Sequence, residues 1–279
     1  MKKVAIITGG GSGMGYAFAK ALGSQYTVLI CGRTASKLEK AVLELKDLGI
    51  EIEALAGDIR DKAFITSLFK RGQELGKIAV VINSAGVSPS MCDSEAIMTI
   101  NALGTVNVTE ASLEVAGEGF CLVNIASNAA YIMPAELMPT DHYKDCFESV
   151  DLFMQEMMKA VKVVPEDSQR AVSYSISKSF VVWYSKTHAV WFGAKGARIL
   201  SVSPGSFETP MGDLEREGAS MTVEMAAIKR FGETEEIANL IEFLVSSKAS
   251  YLTGADFLCD GGTTAGMHSV GLLTGHNQA

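Results

Sequence analysis

Short apolar runs alternate with longer amphipathic stretches along this chain. The runs are rich in β-branched residues and show little alternation of apolar and polar positions. This pattern is typical of strands in a parallel sheet that is covered on both faces. The predicted strands are Val4–Thr8, Thr27–Cys31, Ile52–Ala56, Ala79–Asn83, Cys121–Ile125, Arg198–Val202 and Gly254–Cys259.

The stretches between these runs predict helices, because apolar residues such as Leu38, Val42 and Leu45 recur at spacings of three and four. Alternation of strand and helix predicts right-handed crossovers and a doubly wound parallel sheet of the α/β class. We find no linker and no repeat, so a single domain is expected over residues 1–279. The predicted helices include Met14–Leu22, Ala35–Leu48, Asp61–Leu75, Ile176–Phe192 and Glu233–Val245.

Composition narrows the classes of partner. The chain has 24 Lys and Arg against 32 Asp and Glu, a net charge of −8, and no basic run. This argues against nucleic acid or an anionic membrane as the main partner. The five cysteines are scattered without a C-x-x-C pair, which predicts free thiols in a reducing compartment and hence a cytoplasmic protein. No apolar run reaches the length of a membrane span, and no ligand-spaced histidine pair predicts a metal site.

A glycine-rich segment follows the first predicted strand and opens the first helix. It is Thr8-Gly9-Gly10-Gly11-Ser12-Gly13-Met14-Gly15. Glycines permit a tight turn there and let backbone N–H groups and the helix N-terminus approach a pyrophosphate. A plain loop is the alternative, but the strand before and the helix after favour a dinucleotide site.

The end of the second strand bears on the cofactor. An acidic residue at this place typically holds the ribose 2′-hydroxyl of NAD, whereas an arginine suits the 2′-phosphate of NADP. The segment is Cys31-Gly32-Arg33-Thr34 and contains no acid. Arg33 can therefore contact the phosphate and cover the adenine, unless it is an ordinary solvated arginine. We expect NADP(H) to be favoured, with NAD(H) as the alternative.

Further motifs follow in order along the chain. They are Asp58-Ile59, Asn83-Ser84-Ala85-Gly86, Asn101, Ser127, Tyr174-x-x-x-Lys178, Pro204-Gly205-Ser206-Phe207-Glu208-Thr209, Arg230-Phe231-Gly232 and Asp260-Gly261-Gly262. Together with the glycine-rich segment they resemble the short-chain dehydrogenase/reductase family over nearly the whole chain. The resemblance implies a Rossmann fold, a homodimer or homotetramer, and NAD(P)-dependent interconversion of a secondary alcohol and a ketone.

The resemblance also implies which residues bind the cofactor. Asp58-Ile59 would contact the adenine, and the segment from Pro204 would lie beside the nicotinamide. The implied cofactor-binding residues are Thr8, Gly9, Gly11, Ser12, Gly13, Met14, Gly15, Arg33, Thr34, Asp58, Ile59, Asn83, Ala85, Gly86, Tyr174, Lys178, Pro204, Gly205 and Thr209.

Asn101, Ser127, Tyr174 and Lys178 resemble the catalytic tetrad of that family. Ketone reduction needs a proton donor at the oxygen, and a phenol with a reference pKa of about 10 must be stabilised as phenolate to serve near neutral pH. Lys178 lies one helical turn from Tyr174, where its ammonium favours the phenolate. The Ser127 hydroxyl can orient the substrate oxygen. By resemblance, Asn101 would anchor a water that relays the proton, and no metal is needed.

Other residues share parts of these patterns. Tyr16-x-x-x-Lys20 has the same spacing as Tyr174 and Lys178, but it lies just after the glycine-rich segment, so Tyr16 is interpreted as a packing residue. Ser173, Ser175 and Ser177 are rival hydroxyls. They are interpreted as neighbours that pack or face solvent.

Two spacings depart from the family pattern. Asn101 follows Asn83 by only 18 positions, and Tyr174 follows Ser127 by 47 positions. The long insert, Ala129–Ser173, is predicted to form a substrate lid or a subunit contact. A single helical face is expected to contain its apolar residues, namely Phe147, Val150, Met154, Met157 or Met158, and Val161.

The insert and the shortened loop together resemble bacterial hydroxysteroid dehydrogenases and related carbonyl reductases, which implies a bulky apolar substrate. A 3-oxoacyl-thioester reductase is the alternative, with Lys144, Lys159 and Lys162 of the insert as phosphate contacts. A non-catalytic NADP-binding sensor is a second alternative, disfavoured by the intact catalytic residues. An enoyl reductase is less expected, because those relatives space Tyr and Lys more widely.

Overall fold

The computed structural model describes residues 2–269 and 271, and over them it confirms the predicted single α/β domain. Met1, Val270 and residues 272–279 of the predicted domain lie outside the described residues. Seven parallel strands form one sheet in the order β3-β2-β1-β4-β5-β6-β7, with helices on both faces. The strands are β1 (Lys3–Thr8), β2 (Thr27–Gly32), β3 (Ile52–Ala56), β4 (Lys77–Asn83), β5 (Cys121–Ile125), β6 (Arg198–Pro204) and β7 (Asp256–Cys259).

The predicted strands agree with these bounds to within two residues at each end. β7 begins at Asp256 rather than at Gly254, because Gly254 has a φ of +66°, which belongs to a turn and not to a strand. All β1 and β4 side chains between Val4 and Thr8 and between Ile78 and Asn83 are buried. Burial on both faces explains why the strands are apolar without alternation.

Helices cover the sheet on both sides. They are α1 (Gly13–Leu22), α2 (Ala35–Asp47), α3 (Lys62–Leu75), α4 (Ser94–Met98), α5 (Gly104–Val115), α6 (Ala129–Ile132), α7 (Val150–Val161), α8 (Gln169–Gly193), α9 (Pro210–Met225), α10 (Thr234–Val245) and α11 (Thr263–Ser269). A π-helical turn, Thr99–Leu103, joins α4 to α5. α1, α2 and α10 contribute to the core on one face of the sheet, and α3 and α5 to the core on the other.

α8 starts seven residues before the predicted start at Ile176. A 3-10 turn at Glu166–Ser168 leads directly into it, and the polar residues that follow do not interrupt the helix. Tyr174 therefore lies inside α8 rather than at its beginning, so the helix fixes its position relative to Lys178.

The insert forms part of the core. Within α7, Phe153, Met157 and Val161 are buried at spacings of four, and the rings of Phe153 and Phe180 of α8 are 4.6 Å apart between centroids. This third apolar cluster also includes Met98 of α4. Burial of this apolar surface stabilises the position of α8 from the side opposite the sheet.

The predicted helical face of the insert was only partly correct. Met157 and Val161 are buried as expected, but Phe147 and Val150 are 45% and 38% exposed. Phe153 takes their place in the core. The difference arises because a 3-10 segment, Thr140–Phe147, precedes the helix, so Phe147 is not in register with α7.

Candidate active site

A cavity of about 250 Å³ lies at the carboxyl ends of β1, β2 and β4, where a parallel sheet of this order binds its ligands. We call it the cofactor cavity. Of the residues predicted to bind the cofactor, it brings together Gly9, Ser12, Gly13, Met14, Gly15, Arg33, Asp58, Ile59, Ala85, Gly86 and Thr209.

The glycines of this cavity allow a close approach of backbone segments that a side chain would prevent. A Cβ on Gly15 would lie 2.3 Å from Gly9 O, and a Cβ on Gly9 would lie 3.0 Å from the Ala85 backbone. Gly9 also has a φ of +70°. The segment consequently folds tightly under the N-terminus of α1, whose unpaired N–H groups suit a pyrophosphate.

The cofactor cavity is basic at the end next to β2 and α2. Arg33 lines it after β2, and Lys37 lines it from the first turn of α2. Sequence reasoning missed Lys37, although its place four residues after Arg33 at a helix start was a usable signal. Asp58 is held by Arg60, with 2.7 Å between Nη2 and Oδ2, and this hydrogen bond lowers the pKa of Asp58, assisted by the charge of Arg33.

Two of the predicted cofactor residues lie beneath the cavity rather than in it. Thr8 Oγ1 donates to Asn83 Oδ1 at 2.9 Å and accepts from Ala85 N–H at 2.9 Å. Asn83 Nδ2 donates to Asn124 Oδ1 at 3.0 Å. These buried bonds join the ends of β1, β4 and β5 and position the cavity wall at Ala85.

Gly11 and Thr34 also lie outside the cofactor cavity. Gly11 packs beside the start of α2, where a Cβ would lie 3.4 Å from the Leu38 side chain. Thr34 is the N-cap residue of α2. Both therefore support the cavity through the position of α2.

A second cavity of about 430 Å³ adjoins the first, and we call it the reaction cavity. The two share Met14, Thr209 and Met211. The predicted site residues that line the reaction cavity are Met14, Ser127, Tyr174, Pro204, Gly205 and Thr209. Much of the remaining wall is apolar, with Pro89, Ile132, Phe207, Met211, Phe231 and Met267.

Ser127 and Tyr174 are neighbours in the lining of the reaction cavity. The pKa of Tyr174 is raised overall, mainly by burial and also by the charge of Glu215, while the neighbouring Ser127 hydroxyl lowers it. Ser127 Oγ accepts a hydrogen bond from Ala129 N–H at 3.2 Å, which fixes the hydroxyl just beyond β5. A phenol and an oriented hydroxyl thus lie together in the reaction cavity.

Lys178 and Asn101 lie behind Tyr174, outside both cavities. Lys178 Nζ donates to Ile125 O at 3.0 Å and is 5.7 Å from the centre of the Tyr174 ring. Burial lowers the pKa of Lys178 to about 8. Asn101 lies in the π-helical turn, where its Oδ1 accepts from Val87 N–H at 2.9 Å. A Cβ on Gly86 would lie 3.1 Å from Asn101 Oδ1 and 3.5 Å from Lys178 Nζ, so this glycine keeps open the space between them.

The rival serines on α8 are all buried, so of the two expected alternatives they pack rather than face solvent. Ser173 Oγ donates to Ser94 O at 2.6 Å, and Ser177 Oγ donates to the Tyr174 carbonyl at 2.7 Å. Ser175 lines the reaction cavity. Tyr16 lines neither cavity and packs against the core on the face of the sheet covered by α1, α2 and α10.

α9 covers the reaction cavity, to which it contributes Met211, Glu215 and Ala219. The insert contributes Ala129, Ile132 and Ala171 near its two ends, while its central helix packs in the third apolar cluster. Sequence reasoning missed Glu215, because nothing in the spacing of α9 indicates which of its acidic residues faces a cavity. A lid formed by the insert stays a prediction.

Within residues 2–269 and 271, no cluster of His, Cys, Asp and Glu has the arrangement of a metal site. In the same part of the chain, no helix combines the length and apolarity needed to cross a bilayer. The five cysteines are all free, and Cys31 and Cys121 are buried.

Comparison with known proteins gives matches along most of the chain. A family model described as short chain dehydrogenase matches residues 3–140, and one described as Enoyl-(Acyl carrier protein) reductase matches residues 152–264. The short-chain dehydrogenase/reductase bsc3 of Alternaria brassicicola is 27% identical over 95% of this chain and 97% of its own length. The 3-oxoacyl-[acyl-carrier-protein] reductase FabG of Thermotoga maritima is 26% identical over 93% and 97%. A crystal structure of a short chain dehydrogenase from Burkholderia cenocepacia in complex with NADP has a TM-score of 0.75 at 22% identity, covering 94% and 97%.

Proposed function

Since this chain belongs to the short-chain dehydrogenase/reductase family, we propose that it interconverts a bulky apolar secondary alcohol and its ketone with NADP(H). The family matches confirm the resemblance inferred from the motifs. The observation that carries the proposal is the pairing of Ser127 and Tyr174 on one wall of a largely apolar cavity that opens into the cofactor cavity.

Four residues have distinct roles in the proposed reaction. A nicotinamide cofactor, when bound, would supply or accept the hydride at the carbonyl carbon. Tyr174 Oη gives a proton to the ketone oxygen, or takes one from the alcohol. Ser127 Oγ donates a hydrogen bond to the same oxygen and orients it. Lys178 and Asn101 flank the space beside Gly86, where a water can pass a proton towards Lys178.

The local electrostatics explain why Lys178 needs the cofactor to act fully. Its pKa is lowered to about 8 by burial, and its Nζ has Ile125 O as a hydrogen-bond acceptor. A buried ammonium gains from further acceptors. Lys178 lies beside Gly86 of the cofactor cavity, so hydroxyl acceptors of a cofactor held there would favour the charged lysine and thereby the phenolate of Tyr174.

NADP(H) is favoured over NAD(H) by the basic end of the cofactor cavity. Arg33 and Lys37 line it together, and the acid at this end, Asp58, is paired with Arg60. Two cations without a free carboxylate suit a phosphate dianion better than a ribose hydroxyl. The NADP complex of the Burkholderia structure supports the same choice.

The apolar wall supports a bulky apolar substrate, such as a hydroxysteroid. The volume of the reaction cavity, about 430 Å³, falls within the range of small-molecule sites. A 3-oxoacyl-thioester reductase is the second candidate, because the Thermotoga relative carries that name. The lysines of the insert that this candidate would use as phosphate contacts do not line the reaction cavity, and one of them, Lys159, pairs with Glu156. These lysines are Lys144, Lys159 and Lys162. A non-catalytic sensor is disfavoured by the proximity of Ser127 to Tyr174.

A substrate screen tests the proposed function. Steroid, bile-acid, acyl-thioester and sugar ketones are offered with NADPH and with NADH, and oxidation of the cofactor is followed by absorbance. We expect turnover of steroid-sized ketones with NADPH. Turnover of acyl-thioesters alone would support the second candidate, and binding of NADPH without turnover of any ketone would support the sensor.

We also propose a cytoplasmic homodimer or homotetramer in which the insert takes part in the subunit contact. Exposed apolar side chains lie side by side on the insert and on α8, where the rings of Phe147 and Trp191 are 5.6 Å apart. Val190, next to them, is 77% exposed. Val190→Lys should lower the mass measured by sedimentation, whereas Leu43→Lys on α2 should not. An unchanged mass in both variants would place the contact elsewhere.

A further inference from the structure

Glu215 is an acid in the otherwise largely apolar wall of the reaction cavity. Its Oε1 accepts a hydrogen bond from Ser90 N–H at 3.0 Å. Burial raises the pKa of Glu215, but the nearby Ser88 hydroxyl and the groups of Ser90 lower it by more, so the net shift is downward. The carboxylate is therefore charged at neutral pH.

Ser88 adds a second polar group at the same place. It lines the reaction cavity and is only 3% exposed. Its hydroxyl is near enough to Glu215 to lower the pKa of that carboxyl, yet Oγ completes no hydrogen bond of regular geometry. A buried hydroxyl without a formed bond is costly, so a ligand that completes its bonding is favoured.

No cation of the described chain neutralises Glu215. No Lys or Arg of residues 2–269 lines the reaction cavity, and Glu215 makes no ion pair there. The next residue, Arg216, pairs instead with Glu208 and Asp213. Its guanidinium lies 4.6 Å from the centre of the Phe231 ring. The Glu215 carboxylate thus lines the cavity as a negative charge without a paired cation among the described residues.

This charge lies in the same cavity as the reacting group, since Glu215 and Tyr174 both line it, and it raises the pKa of Tyr174. A substrate that fills the cavity removes water from the carboxylate, which is unfavourable unless the substrate offers a hydrogen-bond donor. An anionic group placed there would be repelled.

We propose that Glu215 and Ser88 form a specificity subsite that selects substrates carrying a hydrogen-bond donor, a hydroxyl or an ammonium group, near the reacting carbon. The subsite rejects substrates that place a carboxylate or phosphate there. This inference rests on the proposed function and narrows its substrate class to donor-bearing alcohols and ketones.

Four ketones built on one ring frame test the subsite. They differ in a single substituent, which is methyl, hydroxymethyl, aminomethyl or carboxyl, and kcat/KM is measured for the wild type, Glu215→Gln and Glu217→Gln. Glutamine keeps an acceptor for Ser90 N–H, and Glu217 is an exposed residue of α9 outside the cavity lining. The wild type should prefer the hydroxymethyl and aminomethyl ketones over the carboxyl ketone by about tenfold to a hundredfold, the range of a hydrogen bond to a charged group.

Glu215→Gln should reduce the ratio of aminomethyl to carboxyl about tenfold or more, and Glu217→Gln should leave it unchanged. If Glu215→Gln loses the preference for the aminomethyl ketone but keeps that for the hydroxymethyl ketone, the amide oxygen and the Ser88 hydroxyl still select a hydroxyl donor. That outcome would support the subsite. An equal change for all four ketones would mean that Glu215 only holds α9, and would overturn the subsite. So would a wild type that prefers the carboxyl ketone.

Equilibrium binding of the same four compounds, measured by calorimetry in the presence of NADP, separates this inference from the proposed function. A donor preference in binding without turnover would refute the reaction and retain the subsite. Turnover without any donor preference would refute the subsite and retain the reaction.

Discussion

Replacing Arg33 by alanine should weaken NADP(H) binding far more than NAD(H) binding. Arg33 and Lys37 are exposed side chains that line the basic end of the cofactor cavity. A hydrogen bond to a charged group contributes about 1.5–3 kcal/mol, which corresponds to roughly 10–150-fold in affinity. Solvent exposure favours the lower part of this range. We therefore expect the Kd of NADPH to rise about 10–50-fold, while NADH, which lacks the 2′-phosphate, loses only stacking on the guanidinium.

Titration calorimetry with both cofactors measures this difference. Lys37→Ala should show the same selectivity to a smaller degree, because ammonium is a single-point donor without the planar fork of arginine. Lys40→Ala is the matched control, since Lys40 lies on the same helix, is outside the cavity and pairs with Glu44. Added salt should also weaken the binding of NADPH to the wild type more steeply than the binding of NADH. An equal loss for both cofactors in Arg33→Ala would refute the reasoning, because it would mean that the arginine does not contact the phosphate.

Three further predictions concern the space behind Tyr174 and the insert. Gly86→Ala should lower kcat roughly tenfold or more, because a Cβ would stand 3.1 Å from Asn101 Oδ1 in the space beside Lys178; an unchanged kcat would argue against a water there. Lys178→Met should abolish turnover yet raise the free energy of unfolding at pH 7 by about 1–3 kcal/mol. The pKa of Lys178 in the folded protein, about 8, lies below its ordinary value of 10.5, so the gain over wild type should decline as the pH rises between these values. Lys186→Met, an exposed change on α8, should show no such trend. Phe153→Ala should cost about 3–5 kcal/mol in urea unfolding, because the ring is fully buried in the third apolar cluster; a loss below 1 kcal/mol would contradict its place in the core.

The fold was predictable because the strands are buried on both faces, and their apolar runs end where glycines and polar residues begin. The places of Gly9 and Gly15 in the cofactor site could also be predicted, because both glycines lie at a strand–helix junction where backbone segments approach each other. The position of Tyr174 on one helix with Lys178 also followed from the sequence. In these places local pattern and tertiary contact agree.

The sequence could not predict features that depend on how distant segments meet. Glu215 faces the reaction cavity because α9 lies over it, and an adjacent residue, Arg216, faces away. Phe153 is buried and Phe147 is not, because a 3-10 segment changes the register before α7. Thr8 and Asn83 match a cofactor motif but bind each other beneath the cavity, which only the pairing of β1 with β4 reveals.

The exchange of Tyr174 for phenylalanine tests the central claim most directly. Tyr174→Phe and Tyr16→Phe each remove one phenolic hydroxyl, and the two tyrosines share the same spacing to a lysine. The account predicts that Tyr174→Phe lowers kcat at least about a hundredfold, the scale of general acid–base catalysis, with NADPH affinity close to wild type, and that Tyr16→Phe remains active. Equal activities in the two variants, or an inactive Tyr16→Phe beside an active Tyr174→Phe, would contradict it.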